Sequence, residues 1–427
     1  MPLPASGALS LNDIQTEFGG TNPISLNEYY AGGGIVPSGT TGTNGAVPSS
    51  GAISVFNFFG TSKALLLSYA WGSGALGRLG DGTAVNKSSP VSVVGGFTDW
   101  KQIGAGGQHT AGVRNNGSAW CWALNSAGQL GDGTTVNKSS PVSVVGGFTD
   151  WTQISAGYNS TFGVRTNGTA WAWGLNANGR LGDGTTVNKS SPVSVVGGFT
   201  DWKEIAGGKA LSDGHTAGVR TNGTAYCWGR GTYGALGTGN TTDRSSPTLV
   251  VGGFTDWTQI SAGSNHTAAV RTNGTAWCWG SNSNGTLGDN TTTIRSSPVS
   301  VVGGFTDWKQ ISAAIQHTAA VRNNGTAWCW GYASSGKLGD NTASGLKASP
   351  VLVVGGFTDW KQISAGGTAT LAVRNNGTAW AWGGQNPYGR LGDNSNAARS
   401  SPVSVVGGFT NWTQISAGSR HTAAIRG

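Results

Sequence analysis

Apolar and polar positions along this chain alternate in short runs that recur at a nearly fixed distance. One unit shows the pattern. Trp257-Thr258-Gln259-Ile260-Ser261 alternates with period two, which predicts a half-buried strand. The small residues of 262–265 predict a loop, and the run 266–271 predicts a second strand. Thr272-Asn273-Gly274 predicts a hairpin turn, because Asn and Gly both accept positive φ. The run TAWCWG at 275–280 predicts a third strand. A Gly- and Asn-rich loop then leads to Leu287-Gly288, a further loop reaches Pro298, and 299–302 predicts a fourth strand.

This unit is repeated. GGFTDW stands at 95–100, 146–151, 197–202, 252–257, 303–308 and 355–360, and GGFTNW at 407–412. The spacings are 51, 51, 55, 51, 52 and 52 residues. Four strands in about 50 residues suit a propeller blade. Seven units predict an all-β fold, a seven-bladed β-propeller over 64–427, preceded by an arm of short helical and loop segments at 1–63. The chain ends on a second-strand run at 421–427, and the third-strand run ALLLSYAW at 64–71 has no partner before it. These two are expected to pair, so that the last blade is built from both ends and no sheet edge stays open. All 19 Trp fit the repeat: seven close the FTDW or FTNW strings and twelve occupy W-x-W positions of the third strand. That assigns them to packing, with Tyr226 in one of the same places.

Composition removes the alternatives. Gly is 74 of 427 residues and charged residues are 10 %, against ~7 % and roughly 25 % in ordinary domains. No G-X-Y period exists, which excludes collagen. A 37 % hydrophobic content with 19 Trp argues against disorder. So much Gly argues against helices, where each costs about 1 kcal/mol. No apolar run approaches the ~20 residues of a membrane span, so no membrane insertion is expected. Met1-Pro2-Leu3-Pro4 shows no leader pattern. The net charge of +8 is uneven. Residues 1–60 carry Asp13, Glu17 and Glu28 with no Lys or Arg, giving −3; residues 61–427 carry 26 basic and 15 acidic groups, giving +11.

Reactive side chains follow the repeat rather than a site. His109, His215, His266, His317 and His421 all precede Thr at one repeat position, which reads as a turn-capping or strand-start role. Cys121, Cys227, Cys278 and Cys329 sit between the two aromatics of the third strand, where other units have Ala, and read as small buried residues. Asp after Leu-Gly reads as turn chemistry. No catalytic set, metal-ligand spacing or cofactor motif stands out, so neither enzyme activity nor a cofactor nor a metal is expected. The units resemble the repeats of the regulator of chromosome condensation family: WGLNANGRLGDG at 173–184 matches its WGxNxxGQLGxG element, and SAGSNHT at 261–267 its A-G-x-x-H-[ST] element. The resemblance covers 64–427 and implies a seven-bladed propeller.

Strand direction places the SAGxx and WGxxxxG loops on one face, and the Asn-Gly turns with the GGFTD crossings on the other. The turn face repeats almost unchanged, while the loop face differs in every unit. Tyr158, Tyr233, Tyr332 and Tyr388 fall there, as does a four-residue insertion at 209–214 holding Lys209, Leu211 and Asp213. Loops on a rigid scaffold carry recognition, so these seven are the candidate ligand-binding residues.

The arm has its own repeat: SGALSLNDIQTEFGG at 6–20, NPISLNEYYAGG at 22–33 and SSGAISVFNFFG at 49–60. It resembles a motif in structural proteins of tailed bacteriophages, and that resemblance implies docking to a virion. The docking residues would be Leu11, Ile14, Phe18, Leu26, Tyr29, Tyr30, Ile53, Phe56 and Phe59. The expectation from this resemblance is a virion protein of the tail or baseplate, its arm held by other virion proteins and its propeller binding host-surface polysaccharide or protein. Self-association is open, and no nucleic acid is expected. The alternatives are a purely structural virion component, or a cellular regulatory propeller acting on a GTPase or chromatin.

Overall fold

A computed structural model of the chain describes residues 13–15, 41–42, 45–46, 65–210, 214–384 and 386–427. The chain divides into two compact units, Met1–Leu65 and Leu66–Gly427. In the first, 13–15 is helical, and Thr41–Gly42 pairs antiparallel with Gly45–Ala46.

The second unit is a ring of seven four-stranded antiparallel sheets. Blade 1 runs from the inside outward as Trp100–Ala105, His109–Arg114, Ala119–Ala123 and Lys138–Ser143. Blades 2 to 6, at 151–194, 202–249, 257–300, 308–352 and 360–404, keep that order. Blade 7 joins Trp412–Ala417 and His421–Arg426 to Leu67–Gly72 and Lys87–Ser92, with Leu67 opposite Arg426 and Gly72 opposite His421. The pairing of the two ends therefore closes the ring. Leu66 also takes a turn's place. Its carbonyl accepts Trp100 N–H at 3.1 Å, where the Gly117 carbonyl accepts Trp151 N–H at 3.0 Å in the next blade. The chain thus enters the propeller on the turn face.

The apolar core lies between blades. Ala111, Val113, Cys121 and Leu130 of blade 1 pack with Trp151, Ile154 and Trp173 of blade 2, and the pattern recurs around the ring. Each buried Trp is worth roughly 2–3 kcal/mol before entropy is subtracted. The FTDW string puts its Phe, Asp and Trp to use. Phe97 meets Trp100 at 5.7 Å and Trp120 at 4.6 Å, Arg114 lies over Phe97 at 4.3 Å, and Asp99 accepts from Arg114 Nε at 2.7 Å. Gly80, at φ +66°, has no room for a side chain, because a Cβ there would stand 2.6 Å from Trp122 Nε1. The hairpin turns differ from expectation in one respect. Only the Gly takes positive φ (Gly117, +74°), and the Asn before it stays right-handed. Asn116 instead accepts hydrogen bonds from the Ser118 N–H and hydroxyl, at 3.0 and 2.7 Å. The four Cys are buried and unpaired, and burial pushes their thiols up, which leaves them neutral packing groups.

Candidate functional site

The inner strands surround an axial channel whose wall is a set of hydrogen-bonded rings. Six Gln and Glu204 form one ring. Gln102 accepts the Ile154 N–H at 2.7 Å, Gln153 that of Ile205 at 3.1 Å, and Gln414 that of Ile103 at 2.8 Å, each from the next blade. The amide of Gln153 also donates to Ile205 O at 2.7 Å, and that of Gln259 to Ile311 O at 3.1 Å. Glu204 accepts the Ile260 N–H in the same way, and enclosure in the wall pushes its carboxyl up to about 7. A Ser ring follows: Ala105 N–H donates to Ser416 Oγ at 2.9 Å and Ala365 N–H to Ser312 Oγ at 3.0 Å. At the loop-face end Lys209 crosses from blade 3 to blade 6, where its Nζ donates to Ala365 O, and burial lowers its ammonium to about 8.

The histidines stitch neighbouring blades. His109 Nε2 lies 2.8 Å from Thr161 Oγ1, and Thr161 Oγ1 donates to Gln129 O at 2.7 Å. The Thr proton is thereby committed, so the His Nε2 carries its own hydrogen and donates. The same relay links His215 to Thr267, His266 to Thr318, His317 to Thr370 and His421 to Thr110, at 2.7 to 2.9 Å. Desolvation holds His109 and His215 down to about 4 and His266 to about 3. His317 and His421 are also held well below the usual value. These are neutral structural groups. Among the described residues no three His, Cys, Asp or Glu are close enough to hold a metal. Asp132 accepts from Thr134 N–H at 3.0 Å and from Asn125 Nδ2 at 2.9 Å, which is loop-closing chemistry.

The candidate binding residues fall in several places. Lys209 lines the channel. Tyr233, exposed and at φ +61°, rims a cleft of about 400 Å³ that includes Ser264, Asn284 and Gln316. Tyr332, also exposed, donates its N–H to Gln316 O and has Lys337 Nζ 5.2 Å from its ring centroid. Tyr158 is half-buried against Gly107, and Tyr388 is half-buried near Arg390. Leu211 and Asp213 lie outside the described residues, as do all the arm's docking candidates except Ile14, which is buried. Sequence reasoning missed the buried cations. Arg78, Arg180, Lys337 and Arg390 fill the position before Leu-Gly, at 3, 2, 1 and 6 % exposure. The signal was there: other units place Gln129, Ala235 or Thr286 at that position.

A closed ring whose recurring polar groups are spent on holding blades together defines a rigid scaffold with one varied face. The RCC1-like domain model matches residues 53–302, and the regulator of chromosome condensation (RCC1) repeat matches 376–425. The chain belongs to the RCC1-like family. It is 30 % identical over 347 residues to the ultraviolet-B receptor UVR8 of Arabidopsis thaliana, covering 78 % of this chain and 76 % of that one. It is 27 % identical over 312 residues to the human E3 ubiquitin-protein ligase HERC2, covering 70 % of this chain and 6 % of that one. The structure of Prp20p from Saccharomyces cerevisiae, described with its binding to Gsp1p and histones, superposes with a TM-score of 0.76 at 19 % identity over 86 % of this chain and 92 % of that one. These relatives are cellular proteins. They overturn the expected virion role, and with it the tail and baseplate partners and the host polysaccharide. The short arm motifs that prompted that reading are weaker signals than a repeat spanning the propeller.

Proposed function

We propose that this chain is a cellular regulatory propeller, a non-catalytic ring that holds a protein partner against its loop face. The observation that carries this is the division of labour between polar groups. His, Thr, Gln and Ser at repeated positions are used in bonds between blades, which leaves the loop face as the surface that differs from unit to unit. Exposed Tyr233 and Tyr332 on that face are suited to anchoring a partner, having a large ring and a hydroxyl. The pair of partners to test first is a protein of the Gsp1p kind and histones, because the similarly folded Prp20p is described with its binding to both.

The test is fluorescence anisotropy of each labelled partner against the full chain. Tyr233→Ala and Tyr332→Ala together should weaken binding at least ~10-fold, and Lys309→Ala on the turn face should leave it unchanged. Failure to bind either partner, or loss of binding from the turn-face change alone, overturns the reading.

A further inference from the structure

The side chains of Arg78 and Arg390 meet the backbone of Arg420 on the loop face, and among the described residues no carboxylate pairs with either buried guanidinium. Arg78 Nη1 donates to Ser73 Oγ at 3.1 Å and to Ala75 O at 3.0 Å. The N–H of Ser73 donates in turn to Arg420 O at 2.9 Å. From the other side, Arg390 Nη1 donates to Thr368 Oγ1 and to Ser419 O, both at 2.8 Å. Each buried guanidinium is therefore tied to the backbone at or beside Arg420. The approach is close: a Cβ on Gly72 would lie 2.8 Å from Arg420 O and 3.3 Å from Arg390 Cα.

Arg78 and Arg390 are buried, and the Nε of each is enclosed with no hydrogen-bond partner. Arg420 is exposed. The contrast with the turn face is sharp. Arg114, Arg220 and Arg322 on the turn face each meet an Asp at 2.6 or 2.7 Å. At this junction, instead, burial and the charge of Arg420 lower Arg78 from its ordinary value and push Arg390 down to about 10. A buried cation without a counter-charge is costly, and two of them beside a third repel each other. Tyr158 and Tyr388 are near enough to act on Arg78, and Tyr388 on Arg390 as well, so two of the loop-face tyrosines border this junction.

We propose that the Arg78–Arg390–Arg420 junction is a binding site for a phosphate-class oxyanion, with the first two as its buried wall and Arg420 as its entry. A dianion offsets more of the three charges than a carboxylate does. Its tetrahedral oxygens also accept from N–H groups that do not share one plane. The site stands apart from the partner reading above, because a free anion satisfies it equally well.

The experiment uses the full chain and two probes: inorganic phosphate, and a phosphoserine peptide with its unphosphorylated twin. Phosphate should raise Tm above that in chloride of equal ionic strength, and calorimetry should detect binding of phosphate, of the phosphopeptide or of both. Binding of the phosphopeptide at least ~10-fold tighter than of phosphate identifies a protein-borne group, and equal binding identifies a free anion; both support the site. Arg420→Ala, at an exposed position, should weaken binding at least ~10-fold. Arg420→Glu should raise Tm without phosphate and abolish the phosphate response, because it supplies the missing counter-charge. Lys361→Ala on the turn face should change neither. Equal shifts in phosphate and chloride, undiminished binding by Arg420→Ala, or a lowered Tm in Arg420→Glu each overturns the proposal.

Discussion

At the scale of single residues, the ring is held by groups that look like chemistry in the sequence and act as fasteners in the fold. Thr161 is the plainest case, accepting from His109 of one blade and donating to the loop carbonyl of Gln129. Thr161→Val keeps the shape and leaves both neighbours unpaired in a buried place. It should lower stability by about 1–3 kcal/mol, read from urea unfolding. The histidines also fix an acid limit. Their folded pKa values lie near 4 or below, under the usual 6.5. Above pH 6.5 both states are neutral and the histidines add no pH dependence. As pH falls below 6.5 the unfolded chain takes up protons that the folded chain refuses, so stability is lost progressively toward pH 4. Unfolding midpoints measured from pH 7.5 to 4.5 should fall, and a flat profile would count against the buried relay. The sequence showed five His at one position but not what each touches, because the partner Thr belongs to the next blade.

At the scale of elements, the inner strands depend on each Gln accepting an N–H from the next blade, and Gln153 and Gln259 also donate back to that blade through the other end of the amide. Glu204, between those two in the ring, can imitate their amides only when protonated, as the acceptor for Ile260 N–H and a donor on its other oxygen. Its folded value of about 7 stands above the ordinary 4.5. The stability it contributes is present below pH 4.5 and lost as pH rises through 7. Glu204→Gln should therefore match the parent near pH 4.5 and exceed it at pH 8.5 by about 1–2 kcal/mol, measured by chemical denaturation at both pH values. The strands and their order were legible, because alternation and Asn-Gly turns are local signals. The turn geometry was read less well. Positive φ was anticipated for Asn and Gly together, and the side-chain acceptor of Asn116 makes a right-handed Asn the better solution.

At the scale of the whole molecule, closure is the property on which the rest depends. Blade 7 exists only because His421–Arg426 pairs with Leu67–Gly72. Removing 421–427 would expose an edge on each side of the gap and strip Trp100 and Trp122 of Ala423 and Ile425, which pack with them. The truncated chain should unfold at a lower temperature and with less cooperativity. It should also elute as larger species on size-exclusion chromatography. A truncated chain that stays monomeric with an unchanged Tm would show that the remaining blades stand without closure.

The sequence by itself determined the blade count, the strand order, the closure and the packing of every Trp, because each is encoded in a local pattern repeated seven times. It also marked the loop face as the varied one. It did not identify the protein's role: the short arm motifs pointed to a virion, and the family to which the propeller belongs overturned that. Only the tertiary structure decided what the repeated His, Thr and Gln bond to, and that Arg78, Arg390 and Arg420 share one junction. The physical reason is the same in each case. These contacts cross between blades, and some cross the point where the two ends of the chain meet. Such neighbours are set by ring closure, while a sequence pattern reports only what lies within a few residues of itself.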